Sequence, residues 1–241
     1  MNRSWTRLWP ALRMDFSMHA RYGFYYAAAF VAAVWIAILR ALPAGYLDTA
    51  IPFIIFADLG IVGMTFIGGQ VLFEKAERTL YALVTSPLTF GEYLASKLIS
   101  LTAMAWVASI AVVVSCRGSN FRVLPLCAGI VLTSLVALVV GLIAVAPYQS
   151  ISTFIMPLQL YVMVMSLPLL DYFGWVRSPL FYLLPTQGAL ILLRSGFVPV
   201  NAWQVVYAVA YQILWIAFLI RWAEVRFERY IIARQGTAGK L

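Results

Sequence analysis

A chain of 241 residues that is 63% hydrophobic and only 11% charged, with a mean hydropathy of +0.91, excludes an ordinary soluble domain, which would carry about 25% charged residues. Runs of about 20 apolar residues point to a polytopic helical membrane protein, and the period-2 alternation of a membrane barrel is absent. The formal net charge of +8 reads as the excess that orients a membrane protein, not as a surface for nucleic acid.

Before the first span, Trp5, Leu8, Trp9, Leu12 and Phe16 share one arc at helical spacing with Arg3 and Arg7 opposite, which predicts an N-terminal interfacial helix within residues 1–21. The charged lead runs to Arg21 and no A-x-A site follows the first apolar run, so a cleavable signal is not expected. Six transmembrane helices are predicted over residues 22–222: Tyr22–Leu39, Ile51–Leu72, Leu98–Ser115, Val123–Ala146, Ile151–Leu170 and Trp203–Trp222. Between the fifth and sixth, Pro185 and Gly188 split an apolar stretch too short to cross. That pattern predicts a broken re-entrant hairpin before span 6. Residues 223–241 read as a tail, and the whole chain as a single all-α transmembrane domain.

With both termini inside, the inner segments hold twelve Lys and Arg residues (Arg3, Arg7, Arg13, Arg21, Lys75, Arg78, Lys97, Arg221, Arg226, Arg229, Arg234, Lys240). The outer segments hold five (Arg40, Arg117, Arg122, Arg177, Arg194). The positive-inside rule therefore predicts cytoplasmic termini and a cytoplasmic segment from Phe73 to Lys97. Gly60, Gly63, Gly68, Gly69, Ala137 and Gly141 are small residues suited to close helix contact. Cys116 and Cys127 read as free thiols in an apolar setting, with a disulfide across a short outer loop the alternative.

Catalytic chemistry has little to work with. The single histidine, His19, precedes the first span, no metal-ligand cluster is evident, and no phosphate loop exists, so the chain is not expected to be an enzyme, to bind a metal or to hold ATP itself. Asp58 is the one carboxylate well inside a predicted span. It reads either as a polar contact on a substrate path or as a buried hydrogen-bonding group. Gln70 and Gln159 are weaker candidates of the same kind.

Phe73, Ala76, Leu80 and Leu83 recur at spacings of 3, 4 and 3, with Glu74, Lys75, Glu77 and Arg78 on the other side. This predicts a short amphipathic helix on the inner surface, stopped by Pro87. Thr89-Phe-Gly-Glu92 then forms a capping-box signature for the next helix. Such a helix, held between two spans, could pass on a push from a soluble partner; a plain surface loop is the other reading.

The stretch EKAERTLYALVTSPLTFGEYLASKLISL resembles the same loop in bacterial ABC-2 type permeases, the membrane subunits of ATP-driven exporters. The matching positions are Glu74, Thr79, Leu80, Ala82, Leu83, Ser86, Pro87, Leu88, Glu92, Tyr93, Leu94 and Lys97. Pro185-Thr186 followed by ALILL is similar to the region before that family's last span. EYLASKLISL is most like the fluoroquinolone export permeases. Arg78 stands where the family has glycine, and Tyr81 where it often has an acid.

The resemblance implies a separate ATPase subunit, dimerising on ATP, whose groove receives a coupling helix from Phe73 to Val84. Phe73, Glu74, Glu77, Arg78, Thr79, Leu80 and Leu83 would make that contact, with ATP and magnesium on the partner and no cofactor on this chain. It further implies a second permease copy or a related chain, a bacterial inner-membrane location, and export of an amphipathic drug-like molecule, fluoroquinolones among them, or a lipid-like one. The half-spanning helices of the family would correspond to Leu180–Arg194. The competing function is a proton-coupled secondary transporter using Asp58.

Overall fold

The structure, a computed structural model, describes residues 3–77 and 89–227. Its helices in chain order are α1 Arg3–Arg21, α2 Phe24–Ala41, α3 Leu47–Ala76, α4 Phe90–Arg117, α5 Val123–Val145, α6 Ile151–Ser166, α7 Leu169–Tyr172, α8 Pro185–Ser195 and α9 Ala202–Phe227. Short 3₁₀ turns at Ala44–Tyr46 and Pro179–Leu183 complete the fold, and there is no strand among the described residues.

The helix ends follow local chemistry. Gly23, at φ +76°, supplies the left-handed turn between α1 and α2, a conformation costly for residues with a Cβ. Leu42 is extended before Pro43, which ends α2. Thr89 caps α4 as its sequence predicts: its backbone N–H donates to Glu92 Oε2 at 2.9 Å, and Glu92 N–H donates to Thr89 Oγ1 at 3.3 Å. These reciprocal bonds satisfy two otherwise orphaned donors.

Among the described residues, five helices are long and apolar enough to cross a membrane: α2, α3 with its leading turn, α4, α5 and α9. The fifth predicted span is shorter than expected. Its helix α6 has 16 residues, about 24 Å at the usual rise and short of a ~30 Å hydrocarbon core. Pro168 and the single turn of α7 follow it. Outward-facing side chains such as Tyr26, Phe30, Met156, Leu214 and Phe218 are mostly exposed, a surface that suits lipid and not water.

α5 carries no charged residue and is the most buried long helix. It packs most extensively on α3, and Gly141 is the reason the two come so close. A Cβ there would lie 2.8 Å from the Met64 Cα and 2.7 Å from Ile67 Cγ2. Two apolar clusters follow. One joins α3, α4, α5, α6 and α9 through Ile67, Leu98, Val140, Phe154 and Leu219. The other joins α2, α3, α4, α5 and α8 through Leu39, Ile55, Val113, Ile130 and Leu193.

One boundary differs from the sequence expectation. The surface helix predicted to begin at Phe73 does not begin there, because α3 runs unbroken through Ala76. Arg78, Thr79, Leu80 and Leu83, like residues 228–241 of the tail, lie outside the described residues. Between α7 and α9 the chain leaves helical geometry at Leu184 (φ −92°, ψ 135°) and re-enters it at Pro185. The resulting 11-residue α8 is buried along most of its length against α5 and α9. Cys116 and Cys127 are free thiols.

Candidate functional site

The bundle has two distinguishable ends. At one lie α1, the last turn of α3, the start of α4 and the α5–α6 turn; here Lys75 Nζ donates to the carbonyls of Ala146 (2.9 Å) and Tyr148 (2.7 Å). A lysine on the last carbonyls of α5 satisfies orphaned acceptors and complements the helix dipole. At the other end Tyr172 donates to the Thr49 carbonyl at 2.8 Å, and Arg122 N–H to the Gly196 carbonyl at 2.8 Å.

The α1 end contains a buried polar network that sequence reasoning missed. Lys97 Nζ lies 3.1 Å from Asp15 Oδ1 and also pairs with Glu74 Oε1. Asp15 accepts from Gln70 Nε2 at 2.8 Å and from Ser96 Oγ at 2.6 Å. Tyr93 donates its hydroxyl to Glu74 Oε2 at 2.7 Å, and Lys97 Nζ lies 4.6 Å from the Tyr93 ring centre. Asp15, His19, Gln70, Glu74, Tyr93, Ser96 and Lys97 are all buried, Lys97 with 0% exposure.

Three helices supply this network as pairs four residues apart: Asp15 and His19 from α1, Gln70 and Glu74 from α3, Tyr93 and Lys97 from α4. Side chains at that spacing share a helix face. On α1 the inward stripe is Leu12, Asp15 and His19, while Trp9 is 68% and Phe16 40% exposed. The apolar arc expected to lie on a surface is thus split. One edge seals the network and the other stays outside.

Glu74 illustrates the correction. The amphipathic pattern put it on the outward side of a new helix, but because α3 continues, Glu74 keeps the phase of Ile67 and Gln70 and turns into the bundle. Phe73 stacks on Tyr22 with ring centres 4.6 Å apart, and Glu77 accepts the Tyr22 hydroxyl.

The electrostatics are demanding. Two carboxylates share the Lys97 ammonium out of water, where each charge is costly to desolvate. With the Gln70 amide nitrogen on Asp15, its oxygen faces His19 Nε2 at 3.2 Å. That nitrogen then carries the proton, and Nδ1 has no partner among the described residues. Burial holds the His19 imidazole below its ordinary 6.5, against the opposing pull of the Gln70 bond and the Asp15 charge.

Asp58, Gln70 and Gln159 are not brought together. Gln70 belongs to the network, and Gln159 is exposed on α6. Asp58 lies eleven residues into α3, about 16 Å from the helix start, and accepts the Trp35 indole N–H at 3.1 Å. A carboxylate at that depth costs roughly 2.5–3.5 kcal/mol on insertion scales. It lines a cavity of ≈ 30 Å³ whose only other polar lining side chain is Ser134. A second cavity, ≈ 200 Å³ between α3, α5, α6 and α8, is lined by Thr133 and Thr186. Their buried hydroxyls have no partner among the described residues.

Long apolar helices, a lipid-suited exterior and polar groups concentrated at cavities and at one end define a multi-pass membrane protein with the features of a permease. The chain belongs to the fluoroquinolones export permease protein family, which matches residues 6–235. It is similar to the fluoroquinolones export permease proteins of Mycobacterium tuberculosis strains CDC 1551/Oshkosh and H37Rv. To each it is 40% identical over 234 residues, covering 96% of this chain and 99% of the relative.

Proposed function

We propose that this chain is the membrane subunit of an ATP-driven exporter, taking an amphipathic drug of the fluoroquinolone class outward across a bacterial inner membrane. The observation that carries this reading is the Asp15–Glu74–Lys97 cluster. It locks together the two helices that flank residues 78–88, the segment that resembles a coupling loop. Buried ion pairs are weak stabilisers, and Glu74 sits in the last turn of α3, where the helix dipole disfavours an anion. Stability alone does not call for that arrangement; a rigid grip on the helices leading to and from a moving partner does.

In this reading a separate ATPase subunit binds ATP and magnesium and engages Glu77, Arg78, Thr79, Leu80 and Leu83. Its closure moves α3 and α4 together through Lys97, and a second permease copy or related chain completes the pathway. This chain performs no hydrolysis itself. The α1 end faces the cytoplasm, as the twelve-to-five distribution of Lys and Arg favours. Helices α6 and α7 together make the sixth crossing, since Tyr148 sits at the α1 end and Tyr172 at the other. Helix α8 with the turn before it forms the re-entrant element.

Co-expression with the ATPase chain tests this. The pair copurifies and everted vesicles accumulate fluoroquinolone only with ATP, whereas Leu80→Asp abolishes both. Accumulation that persists without ATP and collapses with the proton gradient would overturn the reading in favour of a proton-coupled carrier.

A further inference from the structure

Asp58 differs from the carboxylates that hold ion pairs. Asp15 and Glu74 meet Lys97, and Asp48 meets Arg117, but among the described residues no Lys or Arg pairs with Asp58. The Trp35 indole satisfies one acceptor site at 3.1 Å, and a carboxylate has about four. What remains is an intramembrane carboxyl group aimed at a space.

That space has two parts. The cavity at Asp58 offers ≈ 30 Å³, where one water needs about 10–15 Å³, and so takes a compact polar group such as an ammonium. Beside it, between α2 and α4, runs a groove of ≈ 500 Å³, within the ~300–1,000 Å³ of drug-sized sites. Ala28, Met104 and Ala108 belong to the walls of both, so the two spaces abut. Ala29, Ala32 and Ala33 of α2 face Ala103 and Ala111 of α4 across the groove. Alanines recess both walls, while Val107, on the groove's edge, is 62% exposed. The groove therefore opens sideways, onto the surface that faces lipid.

We propose that this groove is a lateral binding site for an apolar molecule ending in a small ammonium group, entered from the bilayer, with Asp58 receiving the ammonium and the alanine walls the apolar body. The occupant follows from charge and size together. A carboxyl group at the end of an otherwise apolar channel favours an amine, with which it forms an ion pair, and the recess of ≈ 30 Å³ favours a compact one. Ser134, whose hydroxyl donates to Thr102 Oγ1 at 3.3 Å, offers its oxygen as a second acceptor for the ammonium. This goes beyond the export reading by naming a lateral site and the class of ligand it takes, and it rests on that reading only for the direction of travel.

The test uses the full chain in nanodiscs of uncharged phosphatidylcholine. The probe is 1,12-diaminododecane dansylated at one end, compared with its N-acetylated, uncharged counterpart. The free amine should bind saturably and about 10-fold more tightly than the acetylated form, and Asp58→Asn should equalise the two. Trp35→Phe, which frees the carboxylate, should hold or raise the amine preference. Ala32→Trp should weaken both probes by filling the groove, and a trimethylated headgroup should bind no better than the acetylated one.

A preference that survives Asp58→Asn, or a wild-type chain that binds both probes alike, would overturn the proposal. So would Ala32→Trp leaving both affinities unchanged. Amine binding that depends on Asp58 in a chain without ATP-driven transport would sink the export reading alone. ATP-driven transport with no amine preference would sink this one alone.

Discussion

Two ion pairs join α3 to α4, one towards each end, and they are built differently. Arg117 and Asp48 meet with their side chains 24% and 38% exposed. Asp48 lies in the first turn of α3 and Arg117 in the last turn of α4, where each helix dipole favours its charge. Lys97, Glu74 and Asp15 meet with side chains at most 3% exposed. Arg117–Asp48 behaves as a surface clasp, cheap to make and cheap to lose. The Lys97 cluster is costly to assemble and more costly to break by halves, and it alone recruits a third helix. The difference separates an end joined by one exposed pair from an end where three helices are tied through a buried one.

Breaking the cluster unevenly gives the largest effect. Lys97→Met removes the ammonium that Asp15 and Glu74 share and should cost about 3–5 kcal/mol, read from denaturant unfolding in detergent. The triple variant Asp15→Asn, Glu74→Gln, Lys97→Met removes the charges together and should recover most of that loss. Gly141→Ala comes next. With the Met64 backbone 2.8 Å from the new Cβ, α3 and α5 must separate, at about 1–3 kcal/mol.

Acidification tests the α1 end by itself. His19 is held below 6.5 in the folded chain by burial, so below that pH the unfolded chain binds more protons than the folded one. The stability contributed by docking α1 is therefore complete above about pH 6.5 and falls as pH drops below it, while His19→Gln flattens the slope. Protease accessibility of α1 against pH reads this. The smallest effect belongs to the clasp: Arg117→Gln should cost under about 1 kcal/mol, and less in high salt.

How legible each part was in the sequence follows from the range of its interactions. The Thr89–Glu92 capping box and the apolar helices come from contacts a few residues apart, and their sequence signatures led directly to them. The Lys97 cluster spans 82 residues from Asp15 and 23 from Glu74, and hydropathy reads each of its members as a polar residue bound for a surface. A signal was present in the i, i+4 spacing of Asp15/His19, Gln70/Glu74 and Tyr93/Lys97. It becomes meaningful only once α3 is known to continue through Ala76, so that Glu74 inherits the phase of Gln70. Asp58 stands out in the sequence as a carboxylate inside a span, but the groove beside it comes from two helices 75 residues apart in their alanines, such as Ala28 and Ala103.

If the cluster is a transmission element, ATP-driven transport depends on its charges. The decisive measurement is drug transport in proteoliposomes holding the permease with its ATPase subunit, comparing wild type with the Asp15→Asn, Glu74→Gln, Lys97→Met triple variant, which should remain folded. The prediction is a triple variant that still copurifies with the ATPase but loses at least about 10-fold in ATP-driven transport, a loss of about 1.4 kcal/mol in coupling. Transport at the wild-type rate would contradict it and leave the buried charges as structure alone.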